Sequence, residues 1–294
     1  MKMNNFYHIN TFMGMDAKYE ESNVVVFGAG FDGTTSNRPG TRFASRAMRP
    51  EFYGLETYSP ILNLDLEDYK VCDAGDLELS IGSTDRVLEE IYEGTKEIVN
   101  DNKIPFMIGG EHLVTLPAFK AVYEKYNDIY VLHFDAHTDL REEYNNNENS
   151  HATVIRRIWD IVGDNRIFQF GIRSGTKEEF EFALKDNHTY MEVAGIDTFE
   201  KIVNGLENKN VYLTIDLDVL DPSIFPGTGT PEPGGVTYRE FQNIFKVLKN
   251  SNIKLVGCDI VELSPDYDST NVSTVTACKI LRELTLILSD NYNK

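Results

Sequence analysis

Cysteine is scarce in this sequence, and the three that occur, Cys72, Cys258 and Cys278, include no pair with C-x-x-C spacing. This scarcity argues against a disulfide-stabilised secreted protein and against a cysteine-rich zinc site. No apolar run approaches the roughly 20 residues that cross a bilayer, and the amino terminus lacks a signal-peptide pattern. We therefore expect a cytoplasmic protein with reduced thiols.

Basic residues are also few, since 28 lysines and arginines stand against 47 aspartates and glutamates, for a formal net charge of −19. A chain with this balance repels nucleic acid and anionic membrane surfaces, so neither is an expected partner. The acidic excess is compatible with a small cationic ligand or with bound divalent metal ions. Most of the acidic side chains are expected simply to be solvated.

Short apolar runs, rich in β-branched and aromatic residues, recur along the chain with helical patterns between them. The runs are 24–28, 105–109, 129–134, 167–172, 211–215 and 254–261. Because they are continuously apolar rather than alternating, they indicate an α/β fold with a mostly parallel sheet buried on both faces. No repeat or linker divides the chain, so we predict one domain over 1–294. Residues 1–22 form a possible N-terminal arm, and Phe6, Tyr7 and Phe12 are candidates for packing on a neighbouring subunit.

A G-x-G-x-x-G pattern at Gly28, Gly30 and Gly33 follows the first predicted strand. A dinucleotide site needs a helix to begin there, with its N-terminus facing the pyrophosphate. The following residues, TTSNRPGTRF, are typical of a loop. We expect the glycines to serve a turn and do not predict a nucleotide site.

Three predicted strands end in polar residues of the types that bind metals. Asp135, His137 and Asp139 follow one strand at alternate positions, and these side chains point the same way if the strand continues. Asp216 and Asp218 follow another strand with the same spacing, and a third runs into GGEH with His112. In open α/β sheets ligands collect at the carboxyl ends of the strands, so we predict one shared crevice.

Four clustered carboxylates repel one another unless they are protonated, separated or neutralised. Two divalent cations neutralise four such charges, and mixed oxygen and imidazole ligands suit Mn²⁺. A two-metal site also lowers the pKa of a bound water and so supports hydrolysis at neutral pH. His133 lies within the strand body, and we interpret it as a hydrogen-bonded core histidine rather than as a ligand.

These residues resemble the ureohydrolase family, which comprises arginases, agmatinases and their relatives. The matching stretches are GTTSNRPGTRFASRAMR (33–49), GGEH (109–112), FDAHTD (134–139), TIDLDVLDPSIFPGTGTPEPGG (214–235) and DIVELSPDYD (259–268). The resemblance implies the three-layer α/β/α arginase-like fold, two Mn²⁺ ions per subunit and a homotrimer or homohexamer. It also implies hydrolysis of a guanidinium group to urea and an amine.

The resemblance assigns roles to individual residues. One metal ion is expected on His112, Asp135, Asp139 and Asp216, and the other on Asp135, His137, Asp216 and Asp218, so that Asp135 and Asp216 bridge. Catalytic roles are expected for Asp139, for Glu262 as the carboxylate partner of the guanidinium, and for His151 as the group that protonates the leaving amine. Thr230 is expected to bind substrate together with Glu262.

The polar loop LREEYNNNENSH that follows the metal motif favours a cationic substrate, because Glu142, Glu143 and Glu148 would repel a carboxylate. The expected reaction is therefore hydrolysis of agmatine to putrescine and urea, as in polyamine biosynthesis. Guanidinobutyrate, guanidinopropionate, arginine and formiminoglutamate stay open as substrates, since Arg141 stands in the same loop. A deacetylase on the same fold and a metal-stabilised scaffold protein are more distant alternatives.

Overall fold

The computed structural model of the protein describes residues 6–7 and 11–292. Eleven strands occur within these ranges. They are β1 (Phe6–Tyr7), β2 (Val24–Ala29), β3 (Tyr58–Ser59), β4 (Leu64–Asp65), β5 (Val71–Leu77), β6 (Ile104–Gly109), β7 (Ile129–Phe134), β8 (Ile167–Ile172), β9 (Tyr190–Val193), β10 (Asn210–Asp216) and β11 (Lys254–Val261).

Nine of these strands form one sheet in the order β1-β5-β2-β6-β11-β10-β7-β8-β9. Eight run parallel, and β1 pairs antiparallel with β5 at one edge. The short strands β3 and β4 form a separate hairpin-like pair. All six strands predicted from the apolar runs are present, and the mostly parallel sheet is confirmed.

Within residues 11–292, eight α-helices cover the sheet. They are α1 (Ala44–Phe52), α2 (Thr84–Asn100), α3 (Thr115–Tyr126), α4 (Val154–Val162), α5 (Lys177–Leu184), α6 (Phe199–Gly205), α7 (Tyr238–Asn250) and α8 (Val272–Tyr292). Helices α1, α8, α7 and α6 pack against one another in series, and α2, α3 and α4 form a second series. Each series of helices packs an apolar core against the central strands, so the fold has three layers in the order α/β/α.

The amino-terminal segment differs from the arm that the sequence suggested. Residues 1–5 and 8–10 lie outside the described residues, and Phe6–Tyr7 pairs with β5 of the same chain. Phe12 is fully buried in this chain, with its ring 5.3 Å from that of Phe52 and under the guanidinium of Arg49. Of the three candidates for packing on a neighbouring subunit, Phe12 therefore belongs to the core of its own chain.

The glycine-rich stretch after β2 is a loop, as expected, and the next α-helix begins only at Ala44. The glycines do not serve a left-handed turn, because Gly28, Gly30 and Gly33 have no positive φ. They allow close packing instead: a Cβ on Gly28 would lie 2.0 Å from an Asp76 oxygen, and one on Gly30 would lie 2.6 Å from the Arg42 carbonyl oxygen. The loop then runs over the carboxyl edge of the sheet, where Asn37 donates to the Gly229 carbonyl.

Candidate active site

The predicted site residues follow four adjacent strands, β6, β11, β10 and β7, at the carboxyl edge of the sheet. His112 follows β6, Glu262 follows β11, Asp216 ends β10 and Asp135 follows β7. Since neighbouring parallel strands end at the same edge, side chains from distant parts of the sequence meet there. Asp135 and His112 are almost fully buried, and His137 is about one quarter exposed.

The structure corrects the reason given for the convergence of Asp135, His137 and Asp139. Strand β7 ends at Phe134, so these residues do not lie on one face of a continuing strand. Asp139 instead has a left-handed backbone with φ +52°, and its carbonyl accepts hydrogen bonds from Ile155 and Arg156 at the start of α4. A turn anchored to the next helix therefore brings Asp139 back to the site.

The His112 imidazole is the centre of a first group of candidate ligands. Its Nδ1 lies 3.2 Å from Asp135 Oδ2, 3.1 Å from Asp139 Oδ2 and 3.5 Å from Asp216 Oδ2. These four side chains are the set expected to hold one of the two metal ions. Yet Nδ1 has no hydrogen-bond partner of acceptable geometry within the described residues, although it is buried.

The other ring nitrogen of His112 determines what Nδ1 can do. Nε2 lies 2.9 Å from Thr214 Oγ1, and the Thr214 hydroxyl donates its hydrogen to Asp259 Oδ1 at 2.7 Å. The Thr214 oxygen therefore accepts from Nε2–H, which leaves a lone pair on Nδ1 facing three carboxylate oxygens. A cation among these four atoms relieves that repulsion, so the donor set fits a metal ion.

His137 is the centre of a second group. Its Nδ1 lies 3.0 Å from Asp218 Oδ2 and 3.4 Å from Asp135 Oδ1. Asp135 thus presents Oδ2 to the His112 group and Oδ1 to the His137 group, as a bridging ligand would. Asp216 is oriented by the Asp218 amide, which donates to its Oδ1 at 2.9 Å.

The electrostatics of the cluster are those of crowded buried carboxylates. Burial and the charges of Asp218 and Asp135 raise the pKa of Asp216 well above its usual range. Burial and Asp135 likewise raise the pKa of Asp139 to about 7. Burial also opposes ionisation of Asp135, but the neighbouring imidazoles, first that of His112, outweigh it and hold its pKa well below the usual range. The positive charge near the cluster is therefore too small to balance all of its carboxylates.

Glu262 lies beside the His112 group, and its side chain is only 7% exposed, so it does not belong to a surface ion pair. Its Oε1 accepts a hydrogen bond from the His112 amide at 2.8 Å, and its own amide donates to the Gly110 carbonyl. Burial, and then the charge of Glu111, raise the pKa of Glu262 well above its usual range. The backbone of Glu262 is left-handed, with φ +67°, so its side chain turns from the strand direction into the crevice.

His151 begins the short helical turn before α4 and is held by the loop after β2. Its amide donates to Thr34 Oγ1 at 3.1 Å, while Nδ1 and Nε2 lie 3.4 Å from the hydroxyls of Thr34 and Ser36. Glu111 fixes this loop by accepting hydrogen bonds from the Thr34 amide and hydroxyl. Burial lowers the pKa of His151 to about 4, so the ring is neutral at pH 7.

A cavity of about 230 Å³ joins these groups. Its lining includes His112, His137, Asp139, His151, Asp216, Thr230, Glu262, Ser36, Arg141, Tyr144 and Glu179. Thr230 Oγ1 donates to Asp218 Oδ2 at 3.4 Å, so this hydroxyl faces the second ligand group. The cavity thus gives every predicted catalytic and substrate-binding residue access to one space.

The mouth of the cavity differs from the expected acidic loop. Glu142, Glu143 and Glu148 are exposed and do not line the cavity. Arg141 does line it, but Nε lies 3.5 Å from Glu179 Oε2, and the guanidinium lies 4.8 Å from the centre of the Tyr144 ring. The mouth therefore pairs one cation with one buried carboxylate.

Several supporting residues were missed by the sequence analysis, namely Thr34, Ser36, Glu111, Glu179, Thr214 and Asp259. Thr214 and Asp259 carried one available signal, because each is a polar residue within an apolar strand. Buried polar groups are normally hydrogen-bonded, so such positions indicate a partner on a neighbouring strand. Thr34 and Ser36 lie in a loop, where hydrophobic periodicity gives no such indication, and their only signal was the resemblance of the stretch 33–49 to the family.

Comparison with known proteins agrees with this arrangement. The model of the arginase family matches residues 22–287. Agmatinases of Bacillus anthracis and Bacillus subtilis are 43% and 40% identical over 286 residues, which is 97% of this chain and 99% of each relative. A crystal structure of a Clostridium difficile protein, provisionally assigned as an agmatinase, has a TM-score of 0.93 and 79% identity, covering 94% of this chain and all of the other.

The fold and the carboxylate–histidine cluster are those of a metal-dependent hydrolase. The chain belongs to the arginase family. The predicted family resemblance and the arginase-like α/β/α fold are both confirmed. Among the described residues, no helix is both long enough and apolar enough to cross a membrane.

Proposed function

We propose that this protein hydrolyses agmatine to putrescine and urea with two Mn²⁺ ions, in polyamine biosynthesis. The observation that carries the proposal is the convergence of His112, His137 and four aspartates in one cluster beside a cavity that buried Glu262 also lines. The agmatinases of two Bacillus species, at 40% identity or more, support the choice of substrate. We further propose a single domain over 1–294, a cytoplasmic location and a homotrimer or homohexamer.

The proposed ligand sets are His112, Asp135, Asp139 and Asp216 for one ion and Asp135, His137, Asp216 and Asp218 for the other. Two divalent cations held there would neutralise the carboxylates and lower the pKa of water at the site. Manganese accepts this mixture of oxygen and imidazole ligands, and the described residues bring no cysteine to the cluster.

Glu262 would orient the substrate, because a buried carboxylate beside the ligand groups can accept two hydrogen bonds from a planar guanidinium. One of its oxygens already accepts from the His112 amide, which fixes the plane of the carboxylate. Thr230 offers a hydroxyl on the side of the second ligand group. Together these residues would present the central guanidinium carbon to the attacking water.

His151 would carry a proton from the attacking water to the departing amine. A ring with a pKa of about 4 is neutral at rest, so it acts first as the acceptor and only then as the acid. The Thr34 hydroxyl donates to Glu111, so its oxygen accepts from Nδ1–H, and the lone pair that would take the proton is on Nε2, beside the Ser36 hydroxyl. Water would give one proton to His151, which passes it to the amine nitrogen as the C–N bond breaks. The second water proton would follow as the urea carbonyl forms, so that the amine leaves as an ammonium ion.

A guanidino compound that carries a carboxylate is the second candidate substrate, because Arg141 lines the cavity. We propose agmatine over this alternative because Arg141 is already paired with Glu179. The test is urea release by Mn²⁺-loaded protein with agmatine, arginine and 4-guanidinobutyrate at equal concentrations. Higher kcat/KM for agmatine is the expected result; preference for a carboxylate substrate would contradict the assignment, and no urea from any of them would overturn the proposed reaction.

A further inference from the structure

Asp135 contacts a line of three buried polar side chains that do not line the cavity. His133 and Gln169 are paired residues of β7 and β8, and Thr189 directly precedes β9. His133 and Gln169 are fully buried, and Thr189 is only 3% exposed. Apolar residues would fill these positions at less cost in desolvation, so a polar residue on each of three neighbouring chain segments requires an explanation.

The hydrogen bonds of Gln169 define its orientation. Its Nε2 lies 2.8 Å from the Thr138 carbonyl oxygen, which can only accept, and its Oε1 accepts from the Thr189 hydroxyl at 2.9 Å. The second hydrogen on Nε2 is then directed at His133 Nδ1, 3.1 Å away. Each polar atom of the amide therefore has a partner in a single orientation.

This orientation determines the tautomer of His133. Because Nδ1 accepts from Gln169, the neutral ring carries its hydrogen on Nε2 and donates it to Asp135 Oδ2 at 2.9 Å. His133 lies close to the first ligand group, with its ring centre 5.1 Å from that of His112. A protonated Nε2 has no lone pair for a metal ion, so the same bond prevents His133 from acting as a ligand.

We propose that Thr189, Gln169 and His133 form a positioning chain that orients the shared carboxylate of Asp135 and keeps His133 out of the metal coordination sphere. The inference rests on the proposed two-metal function. The backbone alone does not fix Oδ2 of Asp135, because the His137 amide donates to the other oxygen, Oδ1, at 2.6 Å. The chain holds the oxygen that faces His112, and both ligand groups depend on the orientation of this one side chain.

The test measures binding of Mn²⁺ itself, by titration calorimetry on protein freed of metal, for wild type and four variants. His133→Phe keeps a ring but removes both nitrogens, and its Kd for Mn²⁺ is expected to rise about 10- to 100-fold, as for other partners of metal ligands. Thr189→Val removes only the hydroxyl at the far end of the chain, so a smaller rise of several-fold is expected. Thr189→Ser restores the hydroxyl and is expected to bind as wild type does.

Thr285→Val is the matched control, because Thr285 is fully buried in α8 and donates only to the Leu281 carbonyl of its own helix. It is expected to change stability while leaving the Mn²⁺ affinity unchanged. If a general loss of packing were enough to weaken Mn²⁺ binding, Thr285→Val would weaken it too. At saturating Mn²⁺, the Thr189→Val variant is expected to lose kcat with little change in KM, since the chain touches no substrate.

A wild-type Mn²⁺ affinity in folded His133→Phe would overturn the positioning chain. Should His133→Phe not fold, equal affinities for Thr189→Val and Thr189→Ser would overturn it instead. These outcomes differ from failure of the proposed function, in which the wild-type protein itself would bind no Mn²⁺.

Discussion

Replacing Glu262 by glutamine tests the proposed orientation of the substrate with a change of one atom. In the wild-type protein, Oε1 accepts from the His112 amide, and the other oxygen is available to a ligand. An amide has one oxygen only. Because the His112 amide requires an acceptor, that oxygen is expected to stay on it, and the variant then presents an NH₂ group to the guanidinium.

The expected loss follows from this exchange of acceptor for donor. A charge-assisted pair with the guanidinium becomes a contact between two donors, and breaking one side of such a buried pair costs about 2–5 kcal/mol. At about 1.4 kcal/mol for each tenfold change, kcat/KM for agmatine should fall by about 30- to 4,000-fold. Metal content should stay at the wild-type value, since Glu262 belongs to neither proposed ligand set.

The assay is urea release over a range of agmatine concentrations, with bound Mn²⁺ measured on the same samples. Glu283→Gln is the matched control, because Glu283 is fully buried in α8 and bonds to Ser59 and Arg282 away from the cavity. It should reduce stability and leave kcat/KM unchanged. A Glu262→Gln protein with wild-type kcat/KM would refute the role of this carboxylate in binding the guanidinium.

Two further predictions concern proton transfer and stability. His151→Gln should slow urea release with metal content unchanged. The pKa of His151 is about 4 in the folded chain and about 6.5 in the unfolded chain. The wild-type chain freed of metal should therefore lose stability as the pH falls through that window, and the variant should lose less. Equal urea-denaturation curves at pH 7 and pH 5 for both proteins would contradict this. Arg49→Met should lower the unfolding free energy by about 3–5 kcal/mol, because it leaves Asp73 buried without its cation and removes the buried cation from Asp76. Arg46→Met, whose half-exposed side chain also approaches Asp76, should cost less than about 1 kcal/mol, and similar losses for the two would refute the argument.

The sheet was largely predictable because its central strands are uninterrupted apolar runs. The bounds of β7, β8 and β11 match the predicted runs, those of β2 and β6 differ by one residue at one end, and those of β10 differ by one residue at each end. Strand β5 was missed because Asp73 and Asp76 interrupt its pattern. Both aspartates are buried all the same, since Arg49 of α1 pairs with each of them, and a partner 24 residues away is not visible in local periodicity.

The convergence of the candidate ligands was predictable for a different reason. Residues close together in sequence, such as Asp216 and Asp218, lie at the end of the same strand. The carboxyl ends of neighbouring parallel strands lie at the same edge of the sheet. The groups that orient the ligands were not predictable, because they depend on register between strands. Thr214 meets Asp259 only because β10 pairs with β11, and a shift by one residue would turn Thr214 to the other face.

The selectivity of the cavity was the least predictable feature, because net charge says nothing about which charges meet. The loop glutamates that suggested a cationic substrate are exposed, whereas Arg141 and Glu179, 38 positions apart in the sequence, meet at the mouth.

If metal ions neutralise the carboxylates at the base of the cavity, this pair supplies opposite charges at its entrance. An ammonium would compete with Arg141 for Glu179, and a carboxylate would compete with Glu179 for Arg141. Since Glu179 also accepts from the Thr138 hydroxyl and from the amides of Leu140 and Thr176, it is the fixed member of the pair. The mobile member is then the arginine, which an ammonium can displace at little structural cost, and on this ground agmatine is favoured over a guanidino acid.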